Sequence, residues 1–270
     1  MGSGSCKIRA AKLIGKWAFA KQEYCMEQYM HEVSVMDIKI YIMTHKPFNV
    51  PVAEGYYAMQ VGREGNKGLG YLRDDLGEHI SQKNRTFCEL TGLYWIWKNV
   101  KSDVVGLCHY RRYFIQAENK RKLVQLESML LPVSYIEQCM QQYDLIVPDS
   151  GMTKYSSVFQ HYKSRHCVSD WEECGRVIQE KYPQYYPAFL WNQETNIMTM
   201  GNMVIGKKAV IDAYCEWLFD ILFEVESRID LTDHDDYQKR IFGFLSERLF
   251  RVWVFMQQLK IREESTEMFE

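Results

Sequence analysis

The chain has 270 residues, and 33 Lys plus Arg against 35 Asp plus Glu leave a formal charge of −2. That balance argues against a nucleic-acid binder, which needs a basic excess to neutralise phosphates. An aromatic share of 14% argues against a solvated, disordered chain. The longest apolar runs, such as Val252 to Met256, fall far below the roughly 18 residues of a membrane span.

The eight cysteines (Cys6, Cys25, Cys88, Cys108, Cys139, Cys167, Cys174 and Cys215) include no C-x-x-C pair. A zinc ribbon or a thioredoxin-type site is therefore not expected. No secretion signal precedes them, so the expectation is reduced thiols in a cytoplasmic protein.

Residues 1–5 read as flexible and tag-like. Residues 6–36 read as an amphipathic helix, with Ala10, Leu13, Ile14, Trp17, Ala20 and Tyr24 on one stripe. Lys7, Arg9, Lys12, Lys16 and Lys21 flank the stripe. This pattern suits contact with an anionic membrane surface through residues 6–24. It equally suits a helix packed on its own domain or on a partner subunit.

From Asp37 the period changes. The β-branched run 38–43 predicts a strand that ends in Thr44-His45-Lys46-Pro47, and 57–62 predicts a second. A glycine-rich loop over 63–80 carries Asp74-Asp75, and Ser81 is placed to cap a helix over 83–100. Val104 to Cys108 reads as a buried parallel strand that ends abruptly in His109-Tyr-Arg-Arg-Tyr-Phe114. A helix over 133–143 and a strand over 144–148 follow. The aromatic-rich segment 150–200 reads as an insertion or small subdomain. A strand over 202–205 and helices over 208–226 and 236–259 complete the pattern. Strands alternating with helices predict one α/β domain over 37–260, with a mixed, mostly parallel sheet and 261–270 as an acidic tail.

Ligands of open α/β sheets bind beyond the carboxyl ends of the strands. Thr44, His45 and Lys46 follow the first strand, and Gln60 and Gly62 the second. His109, Arg111 and Arg112 follow the buried strand, with Lys207 and Lys208 after the later one. Paired arginines grip phosphate oxygens in a bidentate fork, so this edge suits a diphosphate. Asp74, Asp75 and Asn84 add groups for a ribose or base. Structural roles stand beside these: the arginines paired to acids, Asp74-Asp75 in a turn, and Asp233-His-Asp-Asp236 capping a helix. His161 and His166 miss the spacing of a helical metal pair. No G-x-G-x-x-G, Walker loop, G-x-S-x-G or H-E-x-x-H motif occurs.

Several stretches together resemble a known family. They are Gln60-Val-Gly62, Asp74-Asp-Leu-Gly-Glu-His-Ile-Ser81, Cys88-Glu-Leu-Thr91, Tyr94-Trp-Ile-Trp-Lys-Asn99 and Gly106-Leu-Cys-His-Tyr-Arg-Arg-Tyr-Phe114. Asn202 to Ile205 and Arg240 to Leu249 extend the likeness into the second half. The family is that of the capsular polysaccharide synthesis proteins filed as a domain of unknown function. They are regarded as glycosyltransferases of bacterial exopolysaccharide and O-antigen clusters. The resemblance implies a GT-A-like, Rossmann-like fold and transfer of a hexosyl unit (galactose or galactofuranose among the options) from a UDP-sugar. The acceptor would be a growing, lipid-linked saccharide at the inner face of the membrane. The alternative is a non-catalytic saccharide- or nucleotide-binding scaffold subunit.

The sequence departs from many GT-A enzymes in lacking a strand-ending Asp-x-Asp that holds Mg²⁺ or Mn²⁺. Arg111 or Arg112 is expected to supply that charge. A divalent ion at Asp74, Asp75 or Asp235 stays open. By likeness to GT-A enzymes, Asp235 or Asp236 is expected as the base, His109 as the second candidate, and Asn202 and Arg240 on the acceptor side.

Overall fold

The computed structural model describes residues 36–117 and 125–269. The expected N-terminal helix and its membrane-surface contact lie outside the described residues. The strands are β1 Ile38–Thr44, β2 Tyr56–Gln60, β3 Leu72–Arg73, β4 Val104–His109, β5 Arg112–Phe114, β6 Leu145–Pro148, β7 Gly151–Met152, β8 Ile197–Met198, β9 Val204–Lys207, β10 Ile261–Glu264 and β11 Thr266–Met268. The main sheet runs β10-β6-β9-β4-β1-β2-β3, with β5 and β11 extending from β4.

β1 is buried at nearly every position, as a strand covered on both faces must be. It pairs in parallel with β2 and β4, while β9 runs antiparallel between β4 and β6. Gly106 makes that central packing possible. A Cβ there would meet the Ile205 and Ile40 side chains at 2.6 and 2.9 Å. One layer of the core joins Tyr41, Met43, Val105 and Leu107 of the sheet to the helices Leu90–Asn99, Lys208–Arg228 and Ile241–Gln257. Phe87 stacks on Phe242 at 4.3 Å and Trp97 on Phe219 at 5.8 Å.

The α/β fold and its mixed sheet are as the sequence predicts, but four local expectations are corrected. The helix expected over 83–100 is broken. A 3₁₀ turn Ser81–Lys83 and a short helix Asn84–Phe87 precede Leu90–Asn99, and Cys88 between them sits at φ 51°. Ser81 does not cap; its hydroxyl donates to Asp74 Oδ1 at 2.6 Å. Segment 150–200 is no subdomain, because Trp171, Cys174, Val177 and Phe189 belong to the main core. Residues 261–268 are no tail: β10 pairs with β6 and β11 with β5. The Glu264 carboxylate is buried and accepts from Arg262 Nε at 2.7 Å.

The cysteines of the described residues are free thiols. Among the described residues, no helix is long and apolar enough to cross a membrane.

Candidate active site

A cleft of about 450 Å³ opens at the carboxyl ends of β1 and β4. Thr44 and His45 contribute from β1, Val61 follows β2, and His109, Tyr110 and Arg111 follow β4. The broken helix supplies Asn84, Arg85, Cys88 and Glu89, and Arg240 reaches in from the turn before the last long helix. This is where strand polarity places ligands in an open α/β sheet.

The cleft is cationic. The Arg111 guanidinium lies over the Tyr110 ring at 5.1 Å and the Lys46 ammonium at 5.3 Å. Arg240 Nε is 3.3 Å from the Cys88 sulfur. Burial pushes the His45 pKa down, and the charges of Lys46, Arg111 and Arg240 push it further the same way. Burial likewise lifts the Cys88 thiol to about 11. The Tyr110 hydroxyl is buried and has no hydrogen-bond partner among the described residues.

Glu89 is the carboxylate of this cleft. The break in the helix puts it there. Asn84 Nδ2 donates to the Cys88 carbonyl at 2.7 Å, holding the positive φ that redirects the chain. Asn202, itself at φ 45°, donates to Glu89 Oε1 at 2.7 Å and to the Gly243 carbonyl at 3.1 Å. Its own carbonyl accepts from Ser246 at 2.8 Å. Two non-glycine residues in the left-handed region beside one carboxylate is local strain gathered at one site.

Behind Glu89 stands Glu247, which accepts from the Gly201 amide at 2.9 Å and pairs with Arg248 at 2.8 Å. Burial pushes its carboxyl up despite Arg248. His109 Nε2 lies 2.5 Å from the Gly201 carbonyl. A carbonyl only accepts, so Nε2 carries the proton and Nδ1 is the basic nitrogen.

Of the residues singled out from sequence, Thr44, His45, Asn84, His109, Arg111 and Arg240 meet in this cleft. Lys46 lines an adjoining hollow of about 550 Å³, shared with Phe48, Tyr110, Arg111 and Tyr113. The others do not line this cleft and have partners elsewhere. Gln60 is buried and pins the glycine-rich loop through the Lys67 carbonyl and the Leu69 amide, both at 2.9 Å. Gly62, at φ 64°, lies so near Asn84 that a Cβ would approach it to about 2.5 Å. Asp74 is fully buried and accepts from Gly62 N, Arg63 N, Ser81 Oγ and Thr91 Oγ1. Asp75 forms a two-pronged pair with Arg73.

Arg112 does not line the cleft. A Cβ on Gly201 would meet its guanidinium at 2.8 Å. Asn202 positions Glu89 rather than lining the cleft. Asp235 accepts from the Gln238 amide at 2.7 Å, at the start of a 3₁₀ turn. Asp236 is exposed and paired with Arg85. Neither aspartate lines the cleft.

The carboxylates expected for a divalent ion are therefore committed to other partners. The cleft offers one carboxylate among cations, a donor set that does not fit Mg²⁺ or Mn²⁺. Glu89 is the functional candidate that sequence reasoning passed over. Its signal was an acid set inside an otherwise apolar helical stretch.

The model of the family described as Domain of unknown function (DUF4422) matches residues 39–258. The chain belongs to this family. Like the cleft, that span takes in the strand ends from Thr44 to Arg240. Within this DUF4422 chain the solved apo structure of the WbbM bifunctional glycosyltransferase finds a close counterpart, with a TM-score of 0.80 and 27% sequence identity. The likeness covers 87% of this chain and 45% of the WbbM chain. The DUF4422 chain thus spans less than half the length of that relative. No curated protein matches it.

Proposed function

We propose that this DUF4422 protein is a glycosyltransferase that uses a nucleotide-diphosphate sugar, with a UDP-sugar as the first candidate and a saccharide hydroxyl as acceptor. The observation that carries the reading is one carboxylate, Glu89, facing His45, Arg111 and Arg240 across a single cleft at the sheet's carboxyl edge. The likeness to a glycosyltransferase supports it.

Arg111 and Arg240 grip the diphosphate. Fixed cations aimed at the departing diphosphate stabilise its developing charge, which a metal does in other enzymes. Glu89, held by Asn202, takes the proton of the acceptor hydroxyl as that oxygen attacks the anomeric carbon. His109, through Nδ1, is the second group able to take it. The departing nucleoside diphosphate leaves with the electron pair of the cleaved bond.

A galactosyl or galactofuranosyl donor, a lipid-linked acceptor and a seat at the inner membrane face belong to the same proposal. They rest on the family resemblance of the sequence and on the basic stripe over 6–24.

The test is UDP release from a panel of UDP-sugars, with and without EDTA, using the full chain and saccharide acceptors. Turnover with one donor that survives EDTA and falls at least a hundredfold in Glu89→Gln supports the reading. Stabilisation by UDP with no turnover on any donor or acceptor would favour the binding subunit instead.

A further inference from the structure

Cys167, Asp170 and His234 meet at the N-terminal end of the helix Val168–Lys181. None of them lines the cleft. One ligand atom from each lies within 4.8 Å of the other two. His234 Nε2 is 2.9 Å from Asp170 Oδ2, and the two side chains are 9% and 5% exposed. His234 Nδ1 is buried with no partner at all. The other contact of Asp170 is a long one, 3.4 Å from the Ser169 hydroxyl. A carboxylate this deep needs a close partner.

We propose that Cys167, Asp170 and His234 form a site for a divalent transition metal of the zinc class. A thiolate, an imidazole and a carboxylate are a mixed set of borderline donors. They select zinc-like ions over Mg²⁺ or Ca²⁺, which take oxygen ligands alone. Around a tetrahedral ion the ligand atoms stand roughly 3.3–3.6 Å apart. The His234–Asp170 pair opens slightly to reach that spacing, and Cys167 closes by about 1 Å, a side-chain rotation on this scale. Three protein ligands leave a fourth position for water. On binding, the Cys167 thiol gives up its proton to solvent, as a thiolate ligand must.

The ion would tie the loop around His234 to the start of the helix Val168–Lys181. That loop runs directly into Asp235, which accepts from the first amide of the turn Gln238–Arg240, and so bears on where Arg240 is held. The site does not depend on the glycosyltransferase reading.

The experiment is cobalt substitution of the full chain, followed by near-ultraviolet absorption, with zinc competition and metal analysis. The expected result is one Co²⁺ per chain with a thiolate-to-cobalt band, displaced by Zn²⁺. Cys167→Ser loses the band, and His234→Ala binds at least tenfold more weakly. Cys167→Ser keeps the far-ultraviolet circular dichroism and metal-free melting of the parent, which separates lost ligation from lost fold. Zn²⁺ raises the melting temperature of the parent, and a chelator reverses the rise. No thiolate-to-cobalt band in the parent, or one unchanged in Cys167→Ser, would overturn the proposal.

Discussion

The side-chain amide of Asn202 donates to the carboxylate of Glu89 at 2.7 Å, across 113 residues of chain. Both ends of this bond depend on left-handed backbone, at Asn202 itself and at Cys88 immediately before Glu89. The bond fixes one carboxylate oxygen and leaves the other to the cleft. Glu89→Gln is therefore expected to keep UDP affinity and melting temperature while transfer falls at least a hundredfold, the usual scale for a lost general base. Asp235→Ala and Asp236→Ala should stay within a few-fold of the parent. Initial rates and isothermal titration with UDP distinguish these outcomes.

Arg111 and Arg112 are neighbours in sequence, but of the two Arg111 lines the cleft. Arg111→Ala should weaken UDP binding by about 10- to 100-fold, the loss of one charge-assisted contact of roughly 1.5–3 kcal/mol. Arg240→Ala should do the same. Arg112→Ala should leave UDP affinity near the parent value. Equal losses at Arg111 and Arg112 would show that the diphosphate does not lie along this cleft.

Asp74 does not line the cleft, and its hydrogen bonds serve the fold. Its carboxylate receives two backbone amides and two hydroxyls, with the side chain fully buried. Asp74→Ala leaves those donors unsatisfied and should cost about 3 kcal/mol or more of stability. Urea denaturation measures it. Asp75→Ala, at a half-exposed pair with Arg73, should cost less than about 1 kcal/mol.

His161 and His166 give the protein an acid-sensitive seam. Burial first, then the charge of Arg248, pushes each down to about 4. The unfolded chain binds protons at these histidines below about pH 6.5 and the folded chain does not, so unfolding takes up protons between these values. Stability is then full above about pH 6.5 and falls as pH drops towards 4. The urea midpoint should decline from pH 7 to pH 5. A His161→Gln, His166→Gln double variant should show a shallower decline.

The sequence by itself determined the alternation of strands and helices, the buried character of β1 and β4, and the gathering of cations where those strands end. These are local properties. Hydrophobic period and strand polarity act over a few residues and do not depend on what packs above them. The sequence did not reveal the break at Cys88, because a helix over 83–100 satisfies the same apolar pattern. Only the side chain of Asn84 and the distant Asn202 make the break favourable. It did not separate Asp74, Asp235 and Asp236 from Glu89, since any acid near a loop reads alike until its partners are known. Residues 261–268 looked like a tail because their strand partners, β6 and β5, lie more than a hundred residues away. Tertiary packing decided which polar groups were consumed by the fold and which were left to the cleft. The physical reason is that a buried charge must find a partner, and that partner is seldom nearby in sequence.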